Sequence, residues 1–167
     1  DRYGLSEYYP LFDEYYRVYS EKNTELWSLY HHNRISKETL IVERFRYPLQ
    51  RVGAYNDKLV LQLNADYLSV LSEQGELVPQ ARELLDYLKS RSYRLHIISN
   101  GFKEVQFKKM KSAGIENYFE KIILSDEVGV NKPHPDIFRY ALNKTGSSKN
   151  TSLMIGDNYD ADILGAM

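Results

Sequence analysis

Apolar residues recur at helical spacing through the first 75 positions of the chain. Over Tyr8–Lys22, Leu11, Tyr15, Val18 and Tyr19 fall on one face among interspersed acids, and a second helical segment is predicted over Glu25–His32. Ser36 has the chemistry of an N-cap, with Lys37, Glu38 and Thr39 in the first turn of a third helix and Ile41, Val42 and Phe45 beyond. Pro48 is expected to interrupt that helix, and Gly53 to mark a further break. A fourth helix is predicted over Asp57–Glu73, carrying Leu59, Leu63, Tyr67, Val70 and Leu71 on one side. Helices joined by short loops predict a small bundle.

After Gly75 the pattern changes. A helix opening at Val78-Pro79 and running through Lys89 has Ala81, Leu84, Leu85 and Leu88 as its apolar stripe. Three short apolar runs then alternate with helices. Leu95–Ile98 leads into Ser99-Asn100-Gly101 and a helix over Lys103–Ala113. Ile122–Leu124 leads into a loop through Lys132-Pro133 and a helix from Pro135 to before Gly146. Leu153–Ile155, read as a third strand, ends in Gly156-Asp157. Buried strands alternating with amphipathic helices predict βαβ units and a parallel sheet. The fold class is therefore α/β, a Rossmann-like parallel sheet over residues 76–167 with a helical bundle over residues 1–75.

Composition narrows the function. The 167 residues hold 22 basic and 23 acidic side chains, a net charge of −1, which argues against a binder of nucleic-acid polymers and against an electrostatic membrane anchor. With 43% hydrophobic residues the chain can build a core. The absence of cysteine removes disulfides, cysteine-ligated metals and thiol nucleophiles. No apolar run reaches the roughly 18 residues of a membrane span and no signal-peptide pattern opens the chain, so a cytoplasmic location is the expectation. Tyrosine is concentrated in the helical part, where ten of the fifteen lie at or before Tyr67. These read as half-buried helix faces with wet hydroxyls.

Candidate chemistry sits at the ends of the three predicted strands, where open parallel sheets bind ligands. Ser99-Asn100-Gly101 offers a hydroxyl and turn N–H groups to an anion, or simply makes a strand-to-helix turn. Lys132, in Gly129-Val130-Asn131-Lys132-Pro133, could set an ammonium against phosphate oxygens, or be a solvated lysine. Asn131 has no role that the sequence supplies, and His134 reads as a surface histidine. Gly156-Asp157-Asn158-Tyr159-Asp160-Ala161-Asp162 places three carboxylates after an apolar run, the kind of oxygen donor that suits Mg²⁺. Asp160 has the alternative of an N-cap or first-turn acid. No Gly-x-Gly-x-x-Gly follows a strand, which disfavours a dinucleotide binder.

The ordered segments Ile-Ile-Ser-Asn-Gly-Phe, Glu-Val-Gly-Val-Asn-Lys-Pro-His-Pro-Asp-Ile-Phe and Ile-Gly-Asp-Asn-Tyr-Asp-Ala-Asp-Ile-Leu-Gly-Ala resemble the haloacid dehalogenase (HAD) superfamily. They are most similar to its phosphatases that act as 5′-nucleotidases, the YjjG-like type. The resemblance covers about residues 77–167 through motifs and the helical part as the position of a cap domain. It implies that Ser99 is the motif II hydroxyl that binds the phosphoryl group, with Asn100 and Gly101 beside it in the phosphate site. Lys132 would be the motif III lysine, and Asp157 and Asp162 the motif IV acids that hold Mg²⁺. The implied activity is Mg²⁺-dependent hydrolysis of a small phosphorylated metabolite through an aspartyl-phosphate, with a nucleoside 5′-monophosphate first among substrates.

The family's nucleophile lies in an Asp-x-Asp-x-Thr motif on a central first strand, upstream of the cap, and no such motif occurs in the 167 residues. Asp1 falls at the entry to the cap and Met167 just inside the helix after motif IV, so the chain reads as an excerpt of a longer protein. Rival readings are a sugar-phosphate or phosphoglycolate phosphatase, a dehalogenase, or a non-catalytic phosphate-binding module. Dehalogenases need no metal, so the acid pair favours a phosphatase.

Overall fold

The structure, a computed structural model, describes residues 2–167, and residue 1, where the cap was expected to begin, lies outside the described residues. The chain divides into two compact units, one running to Leu68 and one from Ser69 to Met167, so the division falls inside a helix rather than at residue 75.

The first unit is helical. Helix α1 spans Phe12–His31 as one 20-residue element, where two segments were predicted. Asn23 and Thr24 looked like a break, but Val18, Tyr19, Leu26 and Tyr30 keep one buried stripe across them, and shared packing overrides weak local propensity. At its C-terminal end Trp27 meets Tyr30 edge to face (5.7 Å between ring centroids) and lies 5.5 Å from the His31 ring. Helix α2 spans Lys37–Arg51, and the Ser36 hydroxyl accepts a hydrogen bond from the Thr39 N–H at 3.2 Å, as its N-cap chemistry predicts. Pro48 does not end α2. A proline inside a helix costs about 3 kcal/mol, but fully burying Leu49 alone contributes about 1.5–3 kcal/mol. The Pro48 carbonyl also accepts from the Tyr9 hydroxyl at 2.7 Å. Gly53, in the left-handed region (φ 70°), turns the chain toward α3, Asp57–Glu73, whose first turn is capped by the Asn56 side-chain oxygen accepting from the Leu59 N–H at 3.2 Å.

Tyr19, Phe45, Leu49, Val60 and Leu63 form the core of this unit, with Tyr15, Val42 and Tyr67 packed on it. Its rings are in mutual contact, Tyr19 to Phe45 at 5.4 Å and Phe45 to Tyr67 at 5.7 Å. Several of the tyrosines are thus core, not wet helix face. Burial pushes the Tyr15 hydroxyl up to about 12 and raises that of Tyr19 further. Arg44 sits among them, 1% exposed, its guanidinium 4.6 Å from the centre of the Tyr67 ring and donating to the Asn64 side-chain oxygen. Burial lowers its pKa from the usual arginine value.

The second unit is α/β. After a turn at 78–80, helix α4 runs Ala81–Ser90, beginning two residues later than predicted. Strand β1, His96–Ser99, pairs in parallel with β2, Lys121–Leu124, in the register His96↔Lys121 to Ser99↔Leu124. Helix α5, Lys103–Ser112, joins them, burying Val105 and Met110, and Arg82 donates to the Ala113 carbonyl beyond its end at 2.7 Å. A four-residue helix α6, Ser125–Val128, and helix α7, Pro135–Thr145, follow. Ile123, Ile137 and Ala141 form the core here, with Ile98, Val130 and Phe138 against it.

The predicted third strand is not one. Residues 152–156 pair with no other segment, and Leu153 and Ile155 are 85% and 62% exposed. Their composition is that of a strand, but a strand exists only where a neighbouring backbone completes the ladder, and among the described residues none flanks this segment. The stripe of α4 is likewise uncovered, with Leu84 46% exposed and no residue of the helix buried. No helix among the described residues is long and apolar enough to cross a membrane.

Candidate active site

Three segments of the α/β unit carry the candidate chemistry, and hydrogen bonds join them. Ser99 closes β1. Its hydroxyl oxygen accepts from the Gly101 N–H at 3.0 Å, so the turn expected to meet an anion is here closed on itself, with the serine proton still available for donation. The next residue, Asn100, is 6% exposed, and its side chain turns away from solvent toward the loop after α6. The Asn100 amide donates to the Lys132 carbonyl at 2.9 Å, and its side-chain oxygen accepts from the Lys132 N–H at 2.7 Å. The sequence reading put Asn100 on phosphate; its side chain is instead engaged with protein backbone.

Lys132 stands on a loop held from several sides. Gly129 ends α6 in the left-handed region (φ 84°), Val130 packs on the core, Asn131 is buried, and the Lys132–Pro133 peptide is cis. The ammonium reaches the carboxylate of Asp162 at 2.5 Å, with the two side chains only 12% and 4% exposed. Lys132 is thus a largely buried, paired cation, not a solvated one. His134 also has a role the sequence did not reveal: its Nδ1 accepts from the Asp136 N–H at 3.2 Å and caps α7.

Residues 157–165 form the third segment. Tyr159–Leu164 make a π-helical turn, capped by Asn158, whose side-chain oxygen accepts from the Ala161 N–H at 2.8 Å. Asp162 returns the favour across the turn, its Oδ2 accepting from the Asn158 N–H at 3.1 Å. Only glycine fits at position 156, because a Cβ there would lie 2.2 Å from Asp162 Oδ2 and 2.5 Å from Asp162 Cβ. Asp160 lies in the first turn but does not cap it.

The expected metal pair therefore separates into two kinds of carboxylate. Both oxygens of Asp162 are occupied, one by Lys132 and one by a backbone N–H. Asp157 is exposed and makes no hydrogen bond or ion pair among the described residues. Mg²⁺ is held in proteins through one or two carboxylates with waters and substrate phosphate completing its shell. Asp157 fits such a donor; Asp162, in this arrangement, neutralises a lysine. Among the described residues no group of three or more acidic or histidine side chains is placed to hold a metal unaided.

Comparison with known proteins places the chain in a family. A model for hydrolases, "haloacid dehalogenase-like hydrolase", matches residues 3–166. The pyrimidine 5′-nucleotidase YjjG of Escherichia coli is 32% identical over 155 residues, 92% of this chain and 67% of that protein. A glyceraldehyde 3-phosphate phosphatase of Methanothermobacter thermautotrophicus is 42% identical over 88 residues, 53% of this chain and 39% of that protein. Among solved structures, the HAD-hydrolase YfnB of Bacillus subtilis, described as bound to magnesium, superposes with a TM-score of 0.87 at 27% identity, over 94% of this chain and 70% of that one. The chain belongs to the haloacid dehalogenase-like hydrolases. It spans about two thirds of the length of YjjG and less of the phosphatase.

Proposed function

We propose that this protein is a Mg²⁺-dependent phosphoric monoester hydrolase that acts through an aspartyl-phosphate on a small phosphorylated metabolite, a nucleoside 5′-monophosphate first among them. The observation that carries the reading is the largely buried Lys132 ammonium held by Asp162 on a loop tied to the end of β1. A fixed cation on a loop bonded to the residue after Ser99 suits the electrostatic half of phosphoryl transfer. In this reading Ser99 donates to a non-bridging phosphoryl oxygen and Lys132 neutralises charge that builds as the ester bond breaks. Asp162 holds the ammonium in place. Mg²⁺ held by Asp157 would add Lewis-acid neutralisation of the same oxygens. The nucleophile is the aspartate of the family's Asp-x-Asp-x-Thr motif, which the 167 residues do not contain.

The domain assignment belongs to the same proposal: residues 1–75 as a helical cap that reads the leaving group, residues 76–167 as catalytic core. The similarity to YjjG extends over 92% of the chain and so takes in most of the helical unit, whereas the similarity to glyceraldehyde 3-phosphate phosphatases covers between 53% and 73%. If the cap selects the substrate, the longer match supports a nucleotide. The test is hydrolysis by the full-length protein of nucleoside 5′-monophosphates, glyceraldehyde 3-phosphate and other small phosphate esters, with Mg²⁺ and with chelator. Turnover that is highest on nucleoside monophosphates and lost with chelator is expected. Equal turnover without metal, or none on any ester, overturns the proposal.

A further inference from the structure

We propose that Asn100 is a positioning residue: its side-chain amide sets the backbone of Lys132 and thereby the place of the ammonium. The inference rests on the phosphatase reading for its kinetic consequence, but on geometry alone for the contact. Asn100 exchanges two hydrogen bonds with one residue, N–H to side-chain oxygen at 2.7 Å and amide N–H to carbonyl at 2.9 Å. That is the pattern two residues make when they face each other in an antiparallel ladder. A side chain here does the work of a neighbouring strand, across 32 positions of sequence.

The arrangement fixes Lys132 at both ends. Asn100 holds its main chain and Asp162 its Nζ, so the four methylenes between them bridge two held points. Neither anchor substitutes for the other: with Asp162 alone, the loop could shift while the ion pair followed it. The residue type is demanding. Asparagine presents one donor and one acceptor at the spacing of a peptide group. Aspartate would set a carboxylate oxygen against the Lys132 carbonyl in a site that is 6% exposed. Leucine would fill the space and leave both backbone groups unpaired. Serine and alanine are too short to reach.

The consequence is kinetic. A cation displaced by about an ångström from a developing charge loses on the order of 10²-fold in rate. Asn100→Asp and Asn100→Ala in the full-length protein are therefore expected to lower kcat on phosphate esters by roughly 10²-fold, with KM changed less than about threefold. The decisive arm is the double-mutant cycle. In a Lys132→Ala background there is no ammonium to position, so Asn100→Ala is expected to change kcat by less than about twofold. A merely structural asparagine would act equally in both backgrounds, and so would one that contacts phosphate itself; either result overturns the proposal. Amide hydrogen exchange gives an arm independent of activity. The Lys132 N–H is expected to exchange at least about tenfold faster in Asn100→Ala than in the parent, and unchanged exchange overturns the contact. Asn100→Ala introduces no repulsion, so it serves where Asn100→Asp fails to fold. If the parent hydrolyses no ester the phosphatase reading falls, while the exchange measurement still decides the clamp.

Discussion

The two units of this chain solve the problem of buried polar groups in opposite ways. In the helical unit the backbone bonds close mostly within single helices, and Arg44, its one fully buried charge among the described residues, is accommodated by packing: aromatic faces and the side-chain oxygen of Asn64. In the α/β unit the buried polar side chains reach across the sequence. Asn100 bonds to Lys132 and Lys132 to Asp162, at separations of 32 and 30 residues. One unit uses its interior to hold shape. The other uses its interior to hold a charge in place. Single changes should therefore damage stability in the first and chemistry in the second.

The largest expected effect tests the first half of that contrast. Phe45→Ala removes a 4% exposed ring that touches Tyr19, Tyr67 and the Arg44 guanidinium. It should destabilise the helical unit by about 3–5 kcal/mol, measured by denaturant unfolding. A loss under about 1 kcal/mol would mean the aromatic cluster is not the core. Next comes Lys132→Ala in the full-length protein, expected to lower kcat by about 10²–10³-fold on every phosphate ester alike. A variant that reorders substrate preference yet spares kcat would place Lys132 outside the chemistry.

Smaller effects sharpen the comparison. Ser36→Ala removes the hydroxyl that caps α2 and should cost about 1 kcal/mol, without altering kcat, because the cap acts only on helix α2. The smallest concerns His96, whose two ring nitrogens are buried without hydrogen-bond partners near Glu120, Arg94 and Lys121. Burial lowers its pKa in the folded state. Below the unfolded value of about 6.5, the unfolded chain takes up a proton that the folded one resists. Stability is therefore full above that pH and lost as pH falls through the folded value. His96→Phe should flatten the fall of Tm as pH drops below about 6.5; an unchanged slope would show that other groups set it.

Legibility followed the same division. The limits of α3 and the Ser36 cap could be read from the sequence because both are local: a period of 3.6 and a hydroxyl three residues from its partner. Pro48 misled because its local cost is outweighed by Leu49 and Tyr9, neither of which a window around it weighs. Leu153–Ile155 misled for the converse reason: the side chains suit a strand, but the ladder depends on another segment. In the site, Ser99 was marked by residue type and strand-end placement, and Lys132 and Asp157 by residue type and motif spacing. The linkage of Asn100 to Lys132, and of Lys132 to Asp162, was not, because nothing in a linear pattern encodes which residues meet across thirty positions. Arg44 gave no signal at all, since a lone arginine on a helix reads as solvated.

The placement of Trp27 has a practical outcome. It is the one tryptophan in 167 residues, it lies in α1 against Tyr30 and His31, and ten of the fifteen tyrosines share its unit. Fluorescence excited at the indole therefore reports on the surroundings of Trp27 in α1, while far-ultraviolet dichroism sees the helices of both units. Tyrosine-to-tryptophan energy transfer within that unit would fall as its aromatic cluster opens. A pair of spectroscopic signals can thus compare the helical unit with the chain as a whole, with no label attached.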